Sequence, residues 1–484
     1  MRDTGRIHQQ IDWRIRRVLY GQTADALIDA DLEFEIQVDL AHLVMMSEAG
    51  LIPLARAARV ALAIMQLRDS NFAALRGRPA ERGLYLLLED HLIAEIGELD
   101  GGSLQLGRSR NDLGPTAMMI RLRRSAMRLI SEASRLLAAL IHRARAEANL
   151  VMPGYTHMQP AQPITIGHYL SGVAFAVVRD LLGLTTAIDG MGVCPLGAGA
   201  MAGTTLPIRP MRTAELLGFD KPVLHSLDAV ASRDVILRLL SAATIFGITL
   251  TRLATDLLLW SSEFGLIGFP DRLSGSSSMM PQKKNAFPLE LIQGRAMAPL
   301  GAFTAASAAM TSKPFTNAIA VGTEGVGHVW NALGQITDAT LLARLAVRGF
   351  ETHPDRMRER AETGYVTATA CADVLARQGT MSFRQAHRLI GRYVNEAIAR
   401  GGAPLAKVAG TELAELTSEF VVSRANYGGG PGPTSMAAIL TTLEEDWRDI
   451  ARWKHKKRSC WASAASHLDD SVQQLLNRLE AEEN

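Results

Sequence analysis

The chain has 484 residues, 48% hydrophobic and 21% charged, and its 51 Lys and Arg against 49 Asp and Glu leave a net charge of +2. These are globular values with room for two or three domains, and the near balance of charge excludes the electrostatic footprint of a nucleic-acid binder, which leaves small molecules as the expected partners. Cys194, Cys371 and Cys460 lie far apart with no CxxC or Cys/His cluster, which fits a reduced compartment and excludes a structural zinc.

The N-terminal MRDTGRIHQQIDWRIRRVLYG has no apolar core before a cleavage site, and the later apolar runs are broken by Arg179, Asp180, Arg252 and Asp256. A cytoplasmic protein without a membrane span is expected. Residues 1–114 read as an N-terminal helical domain ending in the Gly-rich LDGGSLQLGRSRND. In GRSRND, 107–112, the arginines offer bidentate forks for a carboxylate and Asn111 can donate and accept beside them; the same residues also suit a helix cap with solvated arginines.

From Pro115 to about Leu150 no further Pro or Gly occurs, and Leu122, Leu129, Ile130, Leu136, Leu137, Leu140 and Ile141 recur at helical spacing. This predicts one helix about 50 Å long, with Asp112 near its start and Pro115 in its first turn. In MPGYTHMQPAQP, 152–163, three prolines pin an irregular loop around Thr156 and His157, where a histidine can act as acid or base or be merely structural. PLGAGAMAGTTLP, 195–207, is Gly-rich without the strand-then-helix context of a nucleotide loop, so close backbone packing is expected.

Residues 231–263, 286–312 and 326–347 repeat the long-helix pattern, and Gly247 and Gly301 inside them imply close helix packing. Helices this apolar on several faces predict a central domain, 115–360, whose bundle is shared between subunits. SGSSSMMPQKKN, 274–285, interrupts them as a mobile loop. Its methionines offer adaptable apolar contacts, and Lys283 and Asn285 offer donors to an anion that develops during reaction. A smaller C-terminal helical domain, 361–484, contains ATACADVLARQGTMSFRQAHRLIG, the turn NYGGGPGPTS, and the basic run RWKHKKRSCW, 452–461, read as a solvated helix face.

Taken in order, GRSRND, MPGYTHMQPAQP, PLGAGAMAGTT, SLDAVASRD, GSSSMMPQKKN and LELIQGRA, followed by SFRQAH, resemble the argininosuccinate lyase branch of the fumarase/aspartase superfamily over most of residues 25–440. The resemblance implies an all-α homotetramer of three-domain subunits with a common central bundle, and active sites assembled at subunit junctions from three chains. It implies removal of a proton beside a carboxylate and expulsion of an amine, giving fumarate, with no metal or organic cofactor. By the family positions, Ser277 is the base, eight residues before Asn285, although counting from the glycine selects Ser276. Lys283 and Asn285 stabilise the doubly negative aci-carboxylate, His157 is the second catalytic group, and Glu290 orients it. Ser109, Arg110, Asn111 and Thr156 bind the substrate carboxylates, with Ser276, Ser278, Met280 and Glu324 completing the substrate contacts.

Three departures bear on the substrate. Where the family carries YNxDLQEDK, this chain reads FTNAIAVGTEG, which puts Val321 at the Gln position and Glu324 at the Lys position. Where the family reads DIxxSxAH, this chain reads EIQVDLAH, with Glu35 and Asp39 adding acid, and Asn285 is followed by Ala286 where proline is usual. The expectation is a carbon–nitrogen lyase for an N-substituted aspartate whose amine is more cationic than arginine or differently shaped, as in ethylenediamine-disuccinate lyase of the same branch. Argininosuccinate lyase itself is the alternative, and a crystallin-like homologue without activity is a second.

Overall fold

A computed structural model describes residues 6, 9–410 and 413–483. It is 68% helix and 5% strand, an all-α protein. Helices α1 (Glu33–Glu48), α2 (Leu54–Asp69) and α3 (Leu84–Ile96) bury Ile36, Leu40, Leu43, Ile64, Leu88 and Leu92 in an N-terminal core. Helix α4 (Arg110–Ala146, 37 residues) begins five residues earlier than expected, because Ser109 and Asp112 close a capping box at its N-terminus. Pro115 therefore sits in the second turn, where its missing N–H leaves the Asn111 carbonyl without its helical donor.

After α4 the chain forms a hairpin, β1 (Val151–Thr156) and β2 (Gln159–Thr165), then α5 (Ile166–Asp189), capped by the Thr165 hydroxyl accepting from the His168 N–H at 2.9 Å. Helices α6 (Asp234–Ser261), α7 (Phe287–Arg295), α8 (Ala298–Met310) and α9 (Val329–Gly349) complete the bundle around α4. Its core joins Leu129, Leu136 and Leu140 of α4 to Leu170 and Leu181 of α5, Leu239, Phe246 and Leu250 of α6, and Ile336 of α9. Helices α5 and α6 are long and apolar enough to cross a membrane, yet these same residues line the bundle core.

The expected single helix 286–312 is two helices, broken at Ala296–Met297 ahead of Pro299. A Cβ at Gly247 would stand 2.1 Å from the Ala296 carbonyl oxygen, so the glycine lets α6 pass against the break. Gly301 differs from expectation, since nothing lies within 4 Å of its Cβ position.

Residues 365–416 hold a small core of Cys371, Leu375, Ala386, Ile390 and Leu413, packed against Tyr365 and Leu416. Helix α10 (Pro433–Glu483, 51 residues) then returns along the whole subunit, placing Met436, Leu443 and Ile450 in the bundle core and Leu468, Val472 and Leu475 in the N-terminal core. The cores thus draw on segments from both sides of positions 114 and 360. The basic run corrects its expectation as a solvated face, because one side of it is docked. Lys457 pairs with Asp189 at 3.0 Å and Asp220 at 3.5 Å, the Trp453 indole donates to Asp189 at 3.1 Å, and Lys454 donates to the Ser134 hydroxyl at 3.3 Å.

One buried polar cluster positions the segment before α4. Glu35, Asp39 and His42, at i, i+4 and i+7 of α1, share a helix face. Arg108 meets Asp39 at 2.5 Å, with side chains 2% and 3% exposed. The His42 Nε2–H donates to the Leu106 carbonyl at 2.8 Å, and burial pulls its pKa down to about 3, so the ring is neutral. Burial, reinforced by Asp39 and Asp31, pushes the Glu35 carboxyl up to about 8, while Arg108 opposes the shift. Burial raises Asp39 as well, against the guanidinium beside it. Arg108 Nε and Nη1 and Glu35 Oε2 are buried without hydrogen-bond partners. Removing one member of such a pair costs about 3–5 kcal/mol, which makes it a rigid anchor for the loop that follows.

Two predictions follow from these contacts. Gly247→Ala destabilises the protein by about 1–3 kcal/mol through overpacking, while Gly301→Ala stabilises by up to about 1 kcal/mol through helix propensity; chemical denaturation of both variants reads the contrast. For Glu35, a raised folded pKa means that its contribution is lost as pH rises from about 4.5 to about 8. His42, depressed from 6.5, acts with the opposite sign only below that value, which leaves pH 6.5 to 8 to the acids. In that window the wild-type melting temperature falls and Glu35→Gln flattens the slope; parallel slopes would mean that Glu35 is ionised throughout.

Candidate active site

The N-terminus of α4 supplies the first part of the site. Ser109 Oγ accepts from the Asn111 N–H at 3.2 Å, and Asp112 Oδ1 accepts from the Ser109 N–H at 2.9 Å. The other Asp112 oxygen accepts from the Gly197 and Gly199 N–H groups at 3.1 and 2.8 Å. Both glycines have positive φ, +109° and +60°, and a Cβ at Gly199 would lie 2.5 Å from the Gly203 carbonyl oxygen, which gives the expected close backbone packing its reason. The Asn111 amide donates to the Ala200 carbonyl at 3.1 Å and accepts from Asn317 at 2.9 Å, so the Gly-rich loop and the 315–325 segment meet here. The positive end of α4 suits a carboxylate. Of the two arginines in this segment Arg110 remains free to grip one; it is exposed, 5.7 Å from the Tyr85 ring, while Arg108 is committed to Asp39.

The segment 152–163 is a hairpin and not an irregular loop, with Thr156 opposite Gln159 and a two-residue turn of His157 and Met158. Both turn residues have positive φ, +50° and +61°, which matches the twist of a two-residue hairpin but is costly for side chains other than Gly, Asn or Asp. This held geometry presents Thr156 and His157 to solvent at the tip.

The Ser-rich segment is also a hairpin, β3 (Gly275–Ser276) with β4 (Lys284–Asn285). At its turn Ser277 Oγ accepts from the Met280 N–H at 3.0 Å and the Met279 N–H at 3.4 Å. Ser277 is half-buried, Ser276, Ser278 and Lys283 are exposed, and Met279 and Met280 are 82% and 36% exposed. Lys284 pairs outward with Asp271 at 2.9 Å, leaving Lys283 as the free ammonium of the pair. Asn285 leads through Ala286 into α7, whose first turn carries an exposed Glu290.

Among the described residues no hydrogen bond or ion pair joins His157 to Glu290, or either of them to Ser277, Lys283 or Asn285. The His157 hairpin packs instead on the helix Pro354–Thr363, where Pro160 lies 2.6 Å from a Cβ at Gly364. One chain therefore gathers Asn111, Asn317 and the Gly-rich loop at one place, holds the Ser277 loop as a unit, and keeps His157 on a third.

On the 315–325 segment Glu324 is exposed and Val321 is 8% exposed in a π-helical turn, Ala320–Glu324. A Cβ at Gly322 would lie 3.5 Å from Asn317 Oδ1 and 3.7 Å from Arg233 Nη2, which adds Arg233 to the Asn111 group. Arg233 is buried and donates to the Ser232 carbonyl at 2.6 Å, and burial pulls its pKa down to about 10, so it stays cationic at neutral pH. Arg233, Asn317 and Asp112 were not predicted as site residues, although SLDAVASRD, FTN and the Ser109-to-Asp112 spacing carried the signal. Glu35 and Asp39, expected to shape a pocket for a cationic amine, are corrected: they lie beneath the 107–112 loop and face Arg108.

Residues 88–301 match the lyase family and residues 365–450 the argininosuccinate lyase C-terminal family. The chain is 30% identical to the argininosuccinate lyase of Methanosarcina acetivorans, over 96% of this chain and 98% of that one. Its fold superposes on EDDS lyase in complex with formate with a TM-score of 0.85 at 28% identity, over 98% of this chain and 97% of that one. An EDDS lyase variant with bound fumarate gives 0.86 at 28% identity, over the same shares. The chain belongs to the argininosuccinate lyase branch of the fumarase/aspartase superfamily and is a carbon–nitrogen lyase.

Proposed function

We propose that the protein eliminates an amine from an N-substituted aspartate to give fumarate, with Ser277 as the base. The observation that carries this reading is the pair of backbone N–H groups, from Met279 and Met280, directed at Ser277 Oγ. A serine hydroxyl is a poor base, and its alkoxide needs donors and a nearby cation; Lys283 is the cation on the same loop. Ser277 loses its hydroxyl proton to solvent before the loop closes, the alkoxide takes the proton beside the substrate carboxylate, Lys283 and Asn285 stabilise the doubly negative aci-carboxylate, and collapse of that intermediate breaks the C–N bond. His157 protonates the departing nitrogen, oriented by Glu290. Arg110, Asn111, Ser109 and Thr156 hold the carboxylates at the α4 terminus, with Ser276, Ser278 and Met280 closing over them and no metal or organic cofactor in the scheme.

The separation of these groups within one chain supports a homotetramer whose sites take segments from three subunits. Exposed apolar residues along the bundle, Leu182, Ile245, Ile248, Leu300, Leu341 and Leu345, support the same reading by offering a face for shared packing. A cytoplasmic setting is part of the proposal.

The amine remains other than arginine in this proposal, now on narrower grounds. Glu324 is an exposed carboxylate at the family's Lys position, which repels an amino-acid carboxylate, while Val321 is buried and offers no amide. The likeness to EDDS lyase supports a different N-succinyl amine; the 30% identity to an argininosuccinate lyase supports the alternative.

Two measurements test this. Release of fumarate is followed by absorbance with argininosuccinate and a panel of N-succinyl amines; slow or no cleavage of argininosuccinate and turnover of another member are expected. Fast cleavage of argininosuccinate overturns the argument from Glu324, and no fumarate from any substrate favours the inactive, crystallin-like homologue. Ser277→Ala lowers kcat by about 10²–10⁴-fold with substrate binding retained, whereas loss confined to Ser276→Ala would move the base by one residue.

A further inference from the structure

Between α1, α4 and α10 lies a cavity of about 420 Å³ that the proposed chemistry does not use. Arg123, Arg124 and Arg128 of α4 and Arg458 of α10 line it, with Gln37 and Trp461, and none of its lining residues is acidic. Arg123 is 8% exposed and donates to the Gly218 and Leu217 carbonyls at 3.0 and 2.5 Å, so its charge is oriented by neutral oxygens and, among the described residues, is in no ion pair, with Asp220 acting on it only from a distance. The Phe219 and Trp461 rings, 4.8 and 5.0 Å from its guanidinium, hold it in place. Among the described residues Arg124 and Arg128 have no ion pair or hydrogen bond, and Arg458 reaches only the Ser131 hydroxyl at 3.3 Å.

Three nearby acids are engaged elsewhere, while Glu33, one turn before Gln37 on α1, has no ion pair among the described residues. Asp220 pairs with Lys457, Asp31 with Arg121, and Glu132 with Arg135 and Arg344. The basic run 452–461, docked through Trp453, Lys454 and Lys457, thereby brings Arg458 to a concave surface already carrying three guanidinium groups. Four like charges around one cavity repel one another, and a multiply charged anion relieves that repulsion. Planar guanidinium forks match phosphate oxygens bidentately.

We infer that this cavity binds a phosphate-bearing polyanion, with Arg124, Arg128 and Arg458 as its recognising forks and buried Arg123 as its fixed charge. Arg124 lies 14 residues beyond Arg110, about 20 Å along α4, so the site is separate from the carboxylate cradle at the helix N-terminus. The inference is independent of which amine the enzyme releases.

Titration calorimetry of the full chain with tripolyphosphate, pyrophosphate and ATP tests it. Saturable binding, one per subunit and weakened by added salt, is expected, with a loss of affinity of at least about tenfold in the double variant Arg124→Ala/Arg128→Ala and in Arg458→Ala. Lys456→Ala, on the same helix but outside the cavity, leaves the affinity unchanged, and all these variants keep the melting temperature and the basal lyase rate. Equal affinity for tripolyphosphate and ATP assigns recognition to the phosphate chain alone; tighter ATP binding adds the Trp461 wall. No saturable binding, or affinity untouched by both arginine changes, overturns the inference.

Discussion

The carboxylate of Asp112 is the contact on which the site's geometry depends. One oxygen closes the N-terminus of a 37-residue helix and the other takes two N–H groups from the Gly-rich loop. Those bonds set the loop so that the Ala200 carbonyl meets Asn111, and Asn111 in turn holds Asn317. Burial pushes the Asp112 carboxyl up while its three N–H partners pull it down. Behind it the Arg108–Asp39 pair fixes the same loop to α1. Segments remote in sequence are thereby set at one helix end before any substrate arrives, which is what preorganised carboxylate recognition requires.

The chemistry of the second loop is of another kind. Beyond Ser274, which bonds back to the Pro270 and Asp271 carbonyls, its hydrogen bonds lie within its own hairpin and one outward ion pair, so residues 275–285 can move as a unit while keeping the donors on Ser277 Oγ. In the proposed mechanism the rigid cradle binds the charged substrate and the self-contained loop carries the base.

Much of this was legible in the sequence. The 3.6-residue recurrence of Leu in α4 reported a buried face, and Gly247 reported close approach, because both are local signatures of packing. The ordered polar motifs reported the family because each combines residue types at fixed spacing. What stayed hidden depends on long-range placement. Nothing local distinguishes Glu35 or Asp39 facing a substrate from the same acids facing Arg108, since i, i+4 spacing gives a face but not its neighbour. The basic run looked solvated because Asp189 and Asp220, which neutralise Lys457, lie over 230 residues away. The break at Ala296 was masked by apolar residues on both sides, with Pro299 tolerated at a helix start.

The returning C-terminal helix has a consequence for how the chain is made. Leu468, Val472 and Leu475 belong to the same core as Leu40 and Ile120, so that core is incomplete until α10 has emerged. At about 5–20 residues per second, the interval between Ile120 and Val472 is about 20–70 s, during which the N-terminal helices present an unfilled apolar groove. Consolidation of this core therefore waits for α10, long after its first helices have left the ribosome.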